Sequence, residues 1–166
     1  MGRRRLEYVA YHEAGHAVMA YLERRAFRYV SIEPNEESLG HIMYRKFGER
    51  FHPDYDEEAR IRPQLEKAIL SSLAGHASEC IYRGRNNWVG SATDRTHAFD
   101  LASYISGSFE ETEAYVNWLW VRCRVKIKTH WFRVTALADQ LLKHHRIRYP
   151  KVKKIIKDAK NKEITG

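Results

Sequence analysis

Leu6, Val9, Ala10, Ala14, Ala17, Val18, Met19, Ala20 and Leu22 recur at helical spacing with few breakers between them, which predicts a helix over residues 5–24. Gly15 is its one poor helix former, and such a glycine implies that another backbone comes close. The pattern then shortens to an alternating one. Residues 27–33 and 39–46 read as two strands of an antiparallel ribbon, with Pro34-Asn35 as a turn between them. Residues 47–58 are polar and acid-rich, as expected of a loop entering a helix. Leu65, Ala68, Ile69, Leu73, Ala77, Cys80 and Ile81 then predict a long helix over 64–83, with Pro63 in its first turn and Gly84 at its end. A polar loop over 85–91 leads to a helix from 92 to 106, stopped by Gly107. Aromatic-rich helices follow over 110–126 and 129–145, and Pro150 sets off a last short basic helix. The order describes an α+β fold that is mainly α-helical, with one small β-ribbon or sheet.

Composition narrows the class. The 166 residues are 43% hydrophobic and 30% charged, enough for one globular domain with a real core and too apolar for a disordered chain. No run of eighteen apolar residues predicts a transmembrane helix. The basic start, Met1-Gly-Arg-Arg-Arg, runs into an amphipathic segment and does not read as a signal peptide. Cys80 and Cys123 are too few for a disulfide framework and suit buried thiols in a reducing, cytoplasmic setting. The net charge of +8 sits in residues 143–162, which hold nine Lys/Arg against the single acid Asp158. The chain therefore divides into a domain over 1–145 and a basic tail over 146–166. Such a tail suits nucleic acid, an acidic partner or an anionic membrane surface, and more often is a solvated end.

The candidate chemistry lies in the first helix. Residues 12–16 read His-Glu-Ala-Gly-His. His12 and His16 are one turn apart on one helix face, so both imidazoles can reach one metal ion. Zinc suits imidazole nitrogen, and a catalytic site takes three protein ligands plus a water. Glu13 stands beside the metal, placed to take a proton from that water. Position 19 is Met and position 22 is Leu, so no third ligand follows directly on the same helix. Glu79, Asp94, Asp100 and the histidines at 41, 52, 76, 97, 130, 144 and 145 all compete, and spacing does not decide among them.

Ala10-Tyr-His-Glu-Ala-Gly-His-Ala-Val resembles the peptidase domain of the FtsH-type AAA zinc proteases. Further segments resemble that family in the same order: Val30-Ser-Ile-Glu-Pro its first strand, Ser38-Leu-Gly-His-Ile its edge strand, Leu73-Ala-Gly-His-Ala-Ser-Glu a central helix, Gly90-Ser-Ala-Thr-Asp94 the segment supplying the third ligand, and Leu137-Ala-Asp-Gln-Leu-Leu the closing helix. The resemblance covers 7–105 closely and 110–145 weakly. It implies a zincin-like fold, Zn2+ held by His12, His16 and Asp94, and Glu13 as the catalytic base. It also implies an extended peptide laid along Leu39, Gly40, His41 and Ile42, with weak sequence preference because main-chain bonding dominates.

The departures carry their own expectations. No Walker A motif occurs, so this chain is expected to hydrolyse peptide bonds in unfolded or extended polypeptides without ATP, or to belong to a larger assembly. Thr93 stands where the family has Asn and His41 where it has Tyr, which leaves the ligands intact and alters the substrate groove. Two other readings compete: a non-catalytic module binding nucleic acid or an acidic partner through its basic tail, and an inactive peptidase serving as an adaptor.

Overall fold

A computed structural model of the chain describes residues 2–34, 39–44, 58–84 and 92–165. The loops expected at 47–57 and 85–91 and the strand end at 45–46 lie outside these residues. Six helices and a three-stranded sheet are described. Helix α1 (Arg3–Leu22) leads into β1 (Phe27–Ser31) and β2 (His41–Tyr44). Helices α2 (Glu58–Arg83), α3 (Ala92–Ser103), α4 (Phe109–Thr129) and α5 (Trp131–His144) follow, then β3 (Arg146–Arg148) and α6 (Tyr149–Thr165).

Helix α1 is swallowed by the fold. From Ala10 to Ala20 every residue but His12 is buried, with α2 and α5 as its main neighbours. A helix apolar on all sides is expected to sit in such a place. Gly15 makes this packing tight: a Cβ there would lie 2.5 Å from the carbonyl oxygen of Ala74 and 2.1 Å from the Ser78 hydroxyl. The glycine expected to mark a close backbone approach does mark one.

The long helix starts earlier than its sequence signal. Pro63 lies inside α2 rather than in its first turn, with Glu58 to Arg62 helical ahead of it. An interior proline removes one backbone bond and costs roughly 3 kcal/mol. Ile61 and Leu65, one turn apart on the same face, are buried with Ile105, and burying such side chains is worth about 2 kcal/mol each. Tertiary burial thus carries the helix through the proline. Gly84, at φ +66°, ends it as expected. Helix α3 stops three residues before the expected Ser106. The Ser106 hydroxyl donates to the Ala102 carbonyl at 2.6 Å, and the Ile105 N–H closes a tighter turn on the same carbonyl at 3.0 Å. Ser108 then caps α4, accepting from the Glu111 N–H at 3.1 Å, while the Glu111 carboxylate accepts from the Gly107 N–H at 2.7 Å.

The sheet has the order β2-β1-β3, antiparallel throughout, so the expected ribbon gains a third strand. Val30 pairs with Ile42 on one side and Ile147 on the other. Strand β3 comes from the segment read as a basic tail. Its Arg146-Ile147-Arg148 alternation buries Ile147 against the sheet and leaves both arginines exposed. The last helix is 17 residues long, and it places Val152 and Ile156 in the main core while Lys151, Lys153, Lys154, Lys157 and Lys160 face outward. Residues 146–161 are therefore packed structure carrying a basic face. Among the described residues no helix is long and apolar enough to cross a membrane.

Candidate metal centre

Two helices bring three side chains to one point. His12 and His16 come from the buried turns of α1, and Asp94 comes from the first turn of α3, where the helix dipole favours an acid. His12 Nε2 lies 3.0 Å from His16 Nε2 and 3.1 Å from an Asp94 carboxylate oxygen. The same oxygen is 3.3 Å from His16 Nε2. Among the described residues this is the one group of three ligand-type side chains so assembled.

That triangle tests whether zinc fits. Tetrahedral zinc with ligand bonds of ~2.0–2.2 Å sets its ligand atoms roughly 3.3–3.6 Å apart. The three edges lie at or just under that range. The outer nitrogen of each imidazole is occupied elsewhere. His16 Nδ1–H donates to the Ser71 carbonyl at 2.7 Å, and His12 Nδ1 faces Glu79 at 3.4 Å. These partners assign the protons to Nδ1 and turn both Nε2 lone pairs inward, which is how metal-ligating imidazoles are oriented. Arg83 holds Glu79 in turn, at 2.7 Å, and stacks on the ring of Tyr8 at 3.8 Å. Gly75 of α2 completes the cradle: a Cβ there would lie 2.3 Å from His16 Nε2 and 2.7 Å from His12 Nε2. The donor set and the gap fit a zinc ion.

Electrostatics follow from burial. With protein charges alone, burial opposes the charged form of His12, but hydrogen bonds to Asp94 and Glu79 outweigh it and push its pKa up to about 10. His16 is raised as well, burial again being outweighed by Asp94. Burial works against the Asp94 carboxylate, yet the two histidines hold it well below the usual carboxylate range. The shifts come from the Asp94 carboxylate and the two imidazoles acting on one another at close range. Burial pushes the Glu13 carboxyl up while His12 and His16 pull it back. Glu13 is 5% exposed, and its Oε2 has no hydrogen-bond partner among the described residues. A buried carboxylate oxygen left free beside two imidazoles is suited to accept a proton.

The centre opens into a cleft of about 770 Å³ lined by Leu39, Gly40, His41 and Ile42 as well as the four residues just described. Gly40 sits against the base: its Cβ would lie 2.8 Å from Glu13 Cγ and 2.9 Å from Oε1. Other candidates fall elsewhere. Glu79 touches His12 from outside the triangle. His97 lines the cleft, is exposed, and makes no hydrogen bond to the triangle. His76 is a core histidine, stacked on Trp120 and 3.5 Å from Cys80 Sγ. His52 lies outside the described residues. The sequence pattern had offered no role for Gly75 or Tyr44. A glycine inside a helical apolar run was the available signal for the first. Tyr44 ends β2 in the cleft wall with the Arg25 guanidinium 3.7 Å over its ring.

A mainly helical domain with a small antiparallel sheet and a His-Glu-x-x-His helix at its cleft is a zincin-like peptidase domain. The family model for peptidase family M41 matches residues 1–109, and the chain belongs to that family. It is 33% identical over 99 residues to the ATP-dependent zinc metalloprotease FtsH of Haemophilus influenzae, covering 58% of this chain and 14% of that protein. It is 30% identical over 99 residues to the ATP-dependent zinc metalloprotease YME1L of Drosophila melanogaster, covering 58% of this chain and 12% of that one. A third relative, FtsH 1 of Symbiobacterium thermophilum, is 34% identical over 97 residues, 56% of this chain and 15% of its own length. The family is one of metalloproteases, and the chain spans only a small part of the curated relatives it matches.

Proposed function

We propose that this chain is a zinc endopeptidase that cleaves unfolded or extended polypeptides without ATP. His12, His16 and Asp94 are the metal ligands and Glu13 is the general base. The observation that carries the reading is the inward-facing ligand triangle beside a buried, unpartnered Glu13 oxygen.

Zinc, when bound, supplies Lewis acidity that polarises the scissile carbonyl and acidifies water. The rest is the work of the chain. Glu79 and the Ser71 carbonyl hold the two imidazoles by Nδ1, so neither ring turns as charge develops. Strand β2 is an edge of the described sheet, and an extended substrate adds to it along residues 39–42 by main-chain bonding. Gly40 presses that edge against Glu13, which brings the substrate backbone to the base. Glu13 Oε2 takes a proton from the attacking water and delivers it to the leaving nitrogen. The apolar walls at Val9 and Ile42 help to keep bulk water from the reacting bond.

The test is metal content of the purified protein together with cleavage of casein by wild type and Glu13→Gln. The expected result is one zinc per chain in both proteins, chelator-sensitive cleavage in wild type, and a loss of turnover of about 10²–10⁴-fold in the variant. Cleavage by the variant at the wild-type rate would remove Glu13 from the reaction. A folded protein that binds no metal would overturn the reading and bring forward the binding-module alternative, with the basic face of α6 as its contact.

A further inference from the structure

Helix α4 is apolar on two sides. Thr112, Val116, Leu119, Cys123 and Ile127 face the core. On the other side Trp118, Val121 and Val125 are between 51% and 61% exposed, and Ala114 is exposed with them. A single exposed apolar residue is ordinary, but four in a row on one helix face mark an interaction surface. Their spacing is regular. Residues 111, 114, 118, 121, 125 and 128 alternate in steps of three and four, which is the seam of a heptad repeat. The four inner positions are apolar, and the two outer ones are Glu111 and Lys128.

The charges beside the seam are segregated. Glu110, Glu111 and Glu113 are exposed at the start of the helix, and Arg122, Arg124 and Lys128 are exposed toward its end. Lys126 is already committed, paired with Glu23. Two such helices side by side in parallel would set acid on acid and base on base. Antiparallel, about a two-fold axis midway between Trp118 and Val121, each end meets its opposite. That axis sets Trp118 against Val121 of the second copy, Ala114 against Val125, and Glu111 against Lys128. A large side chain then meets a smaller one at each inner position. A polyanionic surface would meet three glutamates at one end of the same stripe, whereas a second copy satisfies both ends.

We propose that the outer face of α4 is a self-association surface, pairing antiparallel with α4 of a second copy of this chain. The seam is short, so the dimer falls at the weak end of specific interfaces and forms in the micromolar range. Its charged ends set orientation more than affinity.

Sedimentation velocity of the full chain from low micromolar to near-millimolar concentration reads the association. A concentration-dependent dimer is expected, with dissociation at least about tenfold easier in Val121→Glu, where each dimer receives the buried acid twice. Val121 is exposed in the single chain, so the variant keeps its circular dichroism spectrum, and Val125→Glu serves as an independent copy of the test. Orientation is read by oxidative crosslinking. Ala114→Cys combined with Val125→Cys gives a covalent dimer, and either cysteine alone gives far less. A protein monomeric throughout that range overturns the proposal. So does a dimer indifferent to both glutamates, efficient crosslinking by Ala114→Cys alone, or monomeric protein whose binding to anionic vesicles is lost in Val121→Glu.

Discussion

Helices α1 and α4 have nearly the same length, 20 and 21 residues, and opposite fates. Helix α1 is enclosed over more than half its length, so Glu13 and His16 are out of water, and that makes them reactive. Burial leaves Glu13 with a raised pKa and a free oxygen, and it forces His16 to spend Nδ1 on a backbone carbonyl. Helix α4 buries one stripe and leaves another apolar stripe in solvent, and none of its residues enters the metal cleft. Enclosure makes a helix a site for chemistry, whereas one-sided burial makes it scaffold and surface.

Substitutions sharpen that contrast. Leu119→Ala removes a fully buried side chain from α4 and is expected to cost about 2–5 kcal/mol in urea unfolding. Zinc affinity of the folded variant should stay at the wild-type value; a parallel loss would mean that α4 supports the site and the comparison fails. Gly75→Ala is expected to do the reverse. Its new Cβ meets the Nε2 tips of two imidazoles held from behind by Ser71 and Glu79, and the roughly 1 kcal/mol that alanine adds to the helix offsets part of the cost of displacing them. Zinc affinity should fall by about a hundredfold or more, on the order of 2.7 kcal/mol, with unfolding in the presence of chelator little changed. Calorimetric titration with zinc measures it, and retained affinity would show that the cradle tolerates a methyl group.

Gly15→Ala faces the same helix interface, yet its Cβ would meet a backbone carbonyl that cannot move aside. A stability cost of about 1–3 kcal/mol is expected in denaturant unfolding, and a neutral result would show that α1 and α2 can separate. The smallest effect belongs to Ser108→Ala. Loss of the α4 cap should cost about 1 kcal/mol in thermal unfolding with casein cleavage unaltered.

Local signals carried the elements whose chemistry is local. His12 and His16 lie one turn apart with Glu13 between them, so the face the two imidazoles share needs nothing but helical geometry. The ribbon of β1 and β2 followed from alternation, and Gly84 marked a helix end because its φ is positive. Elsewhere local reasoning lost to packing. Pro63 should open a helix, but Ile61 and Leu65 had burial waiting with Ile105. Arg146-Ile147-Arg148 is too short and too charged to signal a strand, and it became one because β1 offered a free edge.

The sequence by itself determined that a helix would present two imidazoles and a carboxylate on one stretch of chain, since a period of 3.6 residues is a property of the backbone. It also determined two apolar stripes on α4, for the same reason. Only the tertiary structure decided that Asp94, 78 residues beyond His16, comes within 3.3 Å of it while Glu79 stands behind His12. It also decided which stripe of α4 meets the core and which is left for a partner. Distances of that kind are set by how buried helices cross; the glycines at 15 and 75 signal in sequence that something comes close, and only the packed structure fixes what approaches them and at what angle.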